Sequence, residues 1–338
     1  MKISRRKSEH IRVSLEQDVH FKNKTAGFEN YRFIHCALPE INLSDVSTEI
    51  EFLGKSLLYP MMISAITGGY DGALEINQQL AEVCREEKVA LSVGSQRQTI
   101  ENDDYLESFS IVRKIAPEGA IIGNIGAAQV SAINDIYPFQ KMVDLIEADA
   151  MAVHLNPLQE ALQPGGDTEF RGVLKGIERL VKGLKVPIIV KEVGCGISED
   201  VAKKLVNAGV TYIEISGAGG TSWAGIESYR GAKKHLALSF WDWGIPTARS
   251  LEMVKKVKGA RIIASGGIEN GITIAKALAL GAELCGSALP LLKVLMNKKI
   301  EGLRFLLQSW KEELKLAMFL TGSQRINDLR RGGVIEKV

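Results

Sequence analysis

Several polar side chains that could do chemistry lie together near the middle of the chain. The apolar run at residues 150–153 is typical of a buried strand. Within the next seven positions follow His154, Asn156, Gln159 and Glu160. An imidazole, two amides and a carboxylate at a strand end suit a catalytic wall, although polar residues that only cap a strand are also common there. The elements around this cluster must decide between the two interpretations.

Eight short apolar runs alternate with helical patterns from residue 59 onward. Apolar strands separated by helices indicate a parallel sheet covered on its outer face, and eight such units predict a closed (β/α)8 TIM barrel of the α/β class. The predicted division is an N-terminal extension at residues 1–58 and a barrel with an extra C-terminal helix at residues 59–338. The predicted strands are 60–66, 89–93, 120–123, 150–153, 187–190, 212–215, 261–264 and 283–285.

The helical patterns supply the outer layer of this barrel. Residues 223–245 are predicted to form a long polar and aromatic loop, and a loop of that length is usually functional or disordered. The leucines of the last helix could pack between subunits or cover the barrel's own helices. The predicted helices are 71–87, 105–115, 139–146, 170–184, 198–207, 247–257, 272–280 and 302–320.

Three glycine-rich loops follow the last three predicted strands, at residues 216–221, 265–267 and 286–288. Barrels of this class have their active sites at the carboxyl ends of the strands, often with a phosphate bound after the last two. Glycine lets backbone N–H groups approach a phosphate closely, and the next helix adds a favourable dipole. The three loops together therefore predict a phosphorylated cofactor.

Lys191 ends an otherwise apolar strand at the same rim. It could extend to solvent, or its charge could stabilise an anion such as a reduced flavin. With the phosphate loops, FMN is the favoured cofactor, and pyridoxal phosphate remains open because it also needs a lysine and a phosphate cup. Glu160 with Asn156 or His154 suits Mg²⁺ held mainly by substrate phosphates, and not a closed zinc site.

The composition excludes several other classes of function. The net charge of +2 gives no argument for binding nucleic acid or a membrane surface. The four cysteines are far apart, without metal-ligand spacing, as expected in a reducing compartment. The basic N-terminus lacks the apolar core of a signal peptide, so a cytoplasmic protein is expected. A basic run such as Arg5–Lys7 is usually a solvated tail; the alternative is an arm that closes over an anionic ligand.

Taken together, these motifs resemble those of the type 2 isopentenyl-diphosphate isomerases, a family of FMN-dependent (β/α)8 barrels. The resemblance covers nearly the whole chain. Its most specific parts are the HLNPLQE stretch at residues 154–160 and the basic arm that contains Arg6, Lys7 and His10. It also rests on motifs such as Thr67-Gly-Gly69 and Ser265-Gly-Gly267, and several of its motifs are shared with other FMN barrels.

The resemblance implies a role for each matching residue. The implied FMN contacts are Ala65, Ile66, Thr67, Ser95, Asn124, Lys191, Ser216, Thr221, Gly267, Ser287 and Ala288. The implied substrate contacts are Arg6, Lys7, His10, Ser95, Arg97, His154 and Gln159, with the last beside the hydrocarbon end. The implied Mg²⁺ ligands are Glu160 and Asn156, and the implied catalytic residues are Gln159, Lys191 and Glu227.

The reaction of this family moves a double bond by one position in a five-carbon diphosphate. The resemblance implies that reduced FMN supplies the acid–base chemistry without net redox change, that NADPH only reduces the flavin, and that Glu227 belongs to a proton path in the loop after strand six. It also implies a homo-oligomer, a tetramer or octamer. Two residues depart from the family pattern: Ile66 replaces a frequent methionine, and Glu269 stands where some members have a basic residue.

Two alternatives remain open from the sequence. One is an FMN-dependent barrel oxidoreductase, such as a 2-hydroxy-acid oxidase or dehydrogenase, in which His235 could be the base; no supporting arginine and tyrosine pattern accompanies it. The other is a sensor that binds flavin or phosphate on an inactive barrel. The complete polar set at the strand ends argues against a sensor.

Overall fold

Eight parallel strands close into a barrel in this computed structural model, which describes residues 3–131, 135–231 and 233–338. The last strand pairs with the first, Cys285 beside Met61, so the sheet has no free edge. The predicted (β/α)8 architecture is confirmed. The strands are β1 Met61–Ile63, β2 Ala90–Ser92, β3 Ile121–Gly126, β4 Ala150–Leu155, β5 Ile188–Glu192, β6 Tyr212–Glu214, β7 Arg261–Ser265 and β8 Leu284–Ser287.

A principal helix follows each strand and covers the barrel. No helix among the described residues is long and apolar enough to cross a membrane. The principal helices are Ala73–Glu87, Glu107–Ile115, Tyr137–Leu145, Val173–Gly183, Glu199–Asn207, Thr247–Val254, Gly271–Ala279 and Leu289–Phe319. Shorter helices are Gln98–Glu101, Ala127–Ser131, Pro157–Leu162, Trp223–Arg230, Lys234–Ser239 and Ile326–Arg330, with 3₁₀ turns at Phe28–Asn30 and Leu43–Asp45.

The apolar strands divide their side chains between two cores with a period of two residues. On β5, Ile189 points into the barrel, while Ile188 and Val190 pack against the outer helices. On β4, Ala152 points inward and Val153 outward in the same way. Burial on both faces is the reason that these strands are continuous apolar runs rather than alternating ones.

The N-terminal extension closes the amino end of the barrel. Its strands Ile50–Phe52 and Lys55–Leu57 form an antiparallel hairpin. Phe52 and Leu57, each 2% exposed, pack with the inward side chains of the barrel strands. The Phe52 ring also makes an edge contact with the Tyr212 ring, with centroids 5.5 Å apart. Within the described part of the chain, only the carboxyl end of the barrel remains open.

Elsewhere the extension is tied to the chain's far end and to the barrel mouth. Strand Tyr31–Phe33 pairs antiparallel with strand Ile335–Lys337. The N-terminal helix, Ile3–Glu16, lies at the mouth, where Val13 packs with Ile226 and Leu289. The interpretation of the basic run as a solvated tail is therefore wrong.

One predicted loop is also wrong. The loop predicted at 223–245 contains the helices Trp223–Arg230 and Lys234–Ser239; Ser222 begins the first by accepting a hydrogen bond from the Gly225 N–H. The helix predicted at 302–320 matches the second part of Leu289–Phe319, which a break in helical geometry at Lys299 divides in two; the first part was not predicted. Its buried side chains cover the barrel's own helices, and they include Leu303, Leu307, Leu314 and Met318.

We expect Phe52→Ala to lower the free energy of unfolding by about 3–5 kcal/mol, because it leaves a cavity beneath the barrel floor. Urea unfolding followed by circular dichroism measures this loss. Leu38, which is 75% exposed, provides the control, and Leu38→Ala should change stability by less than about 0.5 kcal/mol. Equal effects of the two substitutions would contradict the role of the hairpin as a plug.

Candidate active site at the barrel mouth

The period of two residues also decides which side chains point into the open mouth. Because Ala152 and Ile189 point inward, His154 and Lys191, two positions further along their strands, do so as well. The same rule brings in the polar side chains of Ser64, Asn124, Glu214 and Ser265. The inward-pointing side chains of the strands are thus apolar inside the barrel and become polar at its mouth.

His154 is held by a hydrogen bond to Asn124 on the neighbouring strand. Its Nδ1 lies 2.9 Å from Asn124 Oδ1, while Asn124 Nδ2 donates to the carbonyl of Val93. The Asn124 oxygen therefore acts as acceptor, so Nδ1 carries the proton and Nε2 is left for a ligand. Burial, with the charge of Lys191 next, lowers the pKa of His154 to about 3, so the ring is neutral near pH 7.

Lys191 lies in register between His154 and Glu214, on the adjacent strands β4 and β6. Its ammonium donates to the Glu192 carbonyl at 2.7 Å and lies 3.8 Å from Glu214 Oε1. Both charged side chains of this pair are almost fully buried. The mouth therefore contains a cation that is oriented from two sides. The alternative that Lys191 extends to solvent is wrong.

The glycine-rich loops form a cradle in which backbone packs against backbone. A Cβ atom on Gly220 would lie 2.5 Å from the Gly267 nitrogen, and one on Gly266 would lie 2.1 Å from the Gly217 oxygen. Gly266 and Gly267 also have φ values of +95° and +71°, which side-chain-bearing residues rarely adopt. No other residue fits there, and exposed N–H groups in such loops suit a phosphate.

The N-terminal helix brings basic side chains to the opposite side of the mouth. Lys7 Nζ donates to the carbonyls of Gly68 and Ser95 at 2.5 and 2.6 Å, which ties the helix to the loops after β1 and β2. Burial, followed by the charges of Arg6 and Arg97, lowers the pKa of Lys7 to about 7. Arg6 and Arg97 line the same cavity, so the mouth concentrates positive charge there.

Behind this helix lies a buried ionic cluster. His10 Nε2 lies 2.8 Å from Glu227 Oε1, and Arg230 Nη1 donates to Glu227 Oε2 at 2.6 Å. Arg230 also donates to Glu9 at 3.2 Å. Glu227 lies on the helix Trp223–Arg230 and not in a loop, contrary to the prediction. Arg230 was not predicted, although its spacing of three from Glu227 is a signal for an ion pair on one helix face.

Two members of the polar cluster at residues 154–160, Gln159 and Glu160, lie on one short helix, Pro157–Leu162, which has proline in its first turn. Asn156 immediately precedes this helix. Asn156 Nδ2 donates to Gln159 Oε1 at 3.0 Å and to Glu160 Oε1 at 3.1 Å. Glu160 Oε2 accepts from the Asp167 N–H at 2.7 Å and from Gln163 Nε2. Gln159 and Glu160 are thereby oriented before any ligand binds, and Glu160 Oε1 retains capacity for another partner.

The residues predicted for FMN, substrate and metal line one cavity. Ile66 and Glu269, which depart from the family pattern, line it too. Of the predicted site residues only Glu227 lies outside the lining, where it contacts His10 instead. His235, the base of the oxidoreductase alternative, is exposed and absent from the lining. The described residues form no group of three or more His, Cys, Asp or Glu that could hold a metal alone.

Comparison with known proteins agrees with this geometry. The FMN-dependent dehydrogenase family matches residues 151–336. A mandelate oxidase mutant with an FMN adduct has a TM-score of 0.64 at 18% identity, covering 98% of this chain and 91% of the oxidase. A lactate oxidase from Pediococcus acidilactici reaches a TM-score of 0.71 at 15% identity, covering 99% of this chain and 93% of that one. At these identities the structural likeness concerns the fold.

Sequence relatives are far more similar. An isopentenyl-diphosphate delta-isomerase from Methanothermobacter thermautotrophicus is 43% identical, over 98% of this chain and 93% of the relative. The isomerase from Pseudescherichia vulneris is 45% identical, over 98% and 97% of the two chains. That of Pyrococcus furiosus is 44% identical, over 98% and 86%. This chain belongs to the isopentenyl-diphosphate delta-isomerase family, and its barrel to the FMN-dependent dehydrogenase family.

Proposed function

We propose that the protein interconverts isopentenyl diphosphate and dimethylallyl diphosphate by a 1,3 proton shift, as a step of isoprenoid biosynthesis. One observation carries the proposal: the glycine cradle and the basic residues of the N-terminal helix line a single cavity, with Gln159 and Lys191 in the same lining. A flavin phosphate and a substrate diphosphate need two such separate anion sites. The relatives' shared name supports the choice of substrate.

The residues at the mouth fit FMN, and we assign NADPH as its reductant. The cradle after β6, β7 and β8 would hold the FMN phosphate, since its glycines line the cavity without side chains that would keep a phosphate from the backbone N–H groups. When bound, reduced FMN supplies the acid–base chemistry of the shift without net redox change. Lys191 would stabilise negative charge on the flavin, because a buried cation acts strongly where water is excluded.

The substrate diphosphate would lie against the N-terminal helix. Arg6 and Arg97 would pair with phosphate oxygens through their forked guanidinium groups, and His10, Ser95 and His154 would complete this site. Lys7 would add charge while it holds the helix in place. Contacts to the diphosphate are remote from the reacting carbons, so their binding free energy orients those carbons rather than changing them.

The short helix after β4 would serve both the hydrocarbon and the metal. Gln159, held by Asn156, would face the reacting carbons. Glu160 and Asn156 would hold Mg²⁺, and most of the remaining ligands would be diphosphate oxygens and water, as this ion prefers. The remaining acceptor capacity of Glu160 Oε1 supports this set. Glu227 would exchange protons with the site through His10, which it contacts directly.

The wider setting is also part of the proposal. We assign residues 1–58 to an extension that provides the substrate arm, and residues 59–338 to the barrel. Exposed apolar side chains on the helix Lys234–Ser239 and in the turn after it support a homo-oligomer, a tetramer or octamer; they include Leu236, Leu238, Phe240 and Trp243. The four cysteines are all free thiols, which supports a reducing, cytoplasmic location.

Anaerobic incubation tests the proposal. The protein is given isopentenyl diphosphate, FMN, NADPH and Mg²⁺, and we expect dimethylallyl diphosphate to form. Omission of NADPH should stop turnover, and chemical reduction of the flavin should restore it. A protein that is loaded with FMN but forms no product would favour the oxidoreductase alternative.

We expect Gln159→Leu to bind FMN normally and to lose most turnover. Leucine keeps the volume of the side chain but removes the amide that Asn156 orients toward the cavity. Removal of one preorganised hydrogen-bonding group in an active site typically costs about 10²–10³ in rate. Flavin fluorescence measures binding and product formation measures turnover. Wild-type turnover in the variant would remove Gln159 from the reaction.

Glu160→Gln is expected to raise the Mg²⁺ concentration needed for half-maximal activity. The substitution keeps the shape but removes the single carboxylate available to a hard cation at this position. A titration of initial rate against Mg²⁺ measures the effect. Asp167→Asn is the matched control, because it keeps the backbone N–H from which Glu160 accepts a hydrogen bond. If both variants have the Mg²⁺ dependence of the wild type, Glu160 is not a ligand.

A further inference from the structure

Glu214 is a buried carboxylate at the mouth, only 1% exposed. Its Oε1 accepts hydrogen bonds from Ser265 Oγ at 2.8 Å and from Ser64 Oγ at 3.2 Å. Gly286 leaves room for this arrangement, because a Cβ there would lie 2.3 Å from Ser64 Oγ. Residues on β7, on β8 and in the loop after β1 thus converge around the Glu214 carboxylate of β6 and hold it in place.

The nearest charge that the structure pairs with this carboxylate is Lys191, with Nζ 3.8 Å from Glu214 Oε1. Strand pairing places the two residues side by side on β5 and β6. An ammonium group has three N–H donors. The Glu192 carbonyl takes one of them, and Glu214 acts on the ammonium as an ion-pair partner. The remaining N–H donors are available to a ligand in the cavity, and the ion pair draws the ammonium toward β6.

We infer that Glu214 is a positioning residue that holds the Lys191 ammonium where it stabilises negative charge on the reduced flavin. Ser64 and Ser265 in turn hold the Glu214 carboxylate. The inference rests on the proposed function, since it takes FMN as the occupant of the mouth.

The direction in which the midpoint potential of bound FMN changes when Glu214 is replaced distinguishes positioning of Lys191 from a simple effect of the Glu214 charge. A carboxylate near the flavin repels a second negative charge, so its removal alone would favour the reduced flavin and raise the midpoint potential. If Glu214 acts by holding Lys191, its removal releases the ammonium from its position. The reduced flavin then loses its stabilising cation, and the potential falls.

The experiment measures the midpoint potential of bound FMN in the wild type, Glu214→Gln, Lys191→Met and the double variant. Glutamine keeps the shape of Glu214 and can still accept from both serines. Lys191→Met should lower the potential, and Glu214→Gln should lower it by at least half as much. In the Lys191→Met background, Glu214→Gln should no longer lower the potential and should raise it through the loss of the carboxylate charge alone, because the group that Glu214 positions is gone.

A rise or an unchanged potential in Glu214→Gln alone, or an equal fall in both backgrounds, would overturn the inference. If Glu214→Gln fails to bind FMN, Ser265→Ala provides a second test, since it keeps both charges and removes one hydrogen bond to the carboxylate. It should produce a smaller fall, and no fall would count against positioning. A wild-type protein that isomerises normally while these predictions fail overturns only the role of Glu214; a wild type that binds no FMN overturns the proposed function as well.

Discussion

The closed ring of alternating strands is the constraint on which the rest of the molecule depends. Each strand turns one residue inward and the next outward, and closure leaves no edge where this order could slip. The inward positions are apolar over most of the barrel and become polar at its carboxyl end, where His154, Lys191 and Glu214 stand in register on neighbouring strands. A site assembled this way is rigid, because the strand backbones that carry its side chains are hydrogen-bonded to one another.

The N-terminal extension completes what the ring cannot provide. Its hairpin fills the amino end with Phe52 and Leu57, and its first helix adds basic groups at the other end. Lys7 joins that helix to the carbonyls of two strand-end loops. The burial of an ammonium group costs free energy unless such acceptors meet it. Positive charge at the barrel mouth is thus obtained in part from a segment outside the barrel repeat.

The strands and the principal helices could be predicted from the sequence, because hydrophobic period and glycine-rich turns are local signals. The site residues were predicted from the family resemblance, and all of them except Glu227 line the cavity, whose lining also includes unpredicted residues such as Ser64, Gln163 and Glu214. The helix Trp223–Arg230 was missed because its aromatic residues obscure the apolar period, although Ser222 is an ordinary N-cap. Glu214 was not predicted as a site residue because it lies within an apolar strand. Arg230 was not predicted either, although it lies close to Glu227. Their partners lie on other elements or one helical turn away, and only the folded chain shows which charges meet.

The hairpin at the floor of the barrel has a kinetic consequence. For the residues that the structure describes, a barrel plugged at one end has a single entrance, so everything that occupies the mouth enters and leaves by the same route. Lys191 lies on the barrel wall and Arg6 on the helix that borders the entrance. A group that contacts Lys191 must therefore arrive before one held by Arg6, and it must leave after it. The position of a ligand along the barrel axis thus sets its order of binding. The inner ligand stays bound while the outer ligand exchanges with solvent.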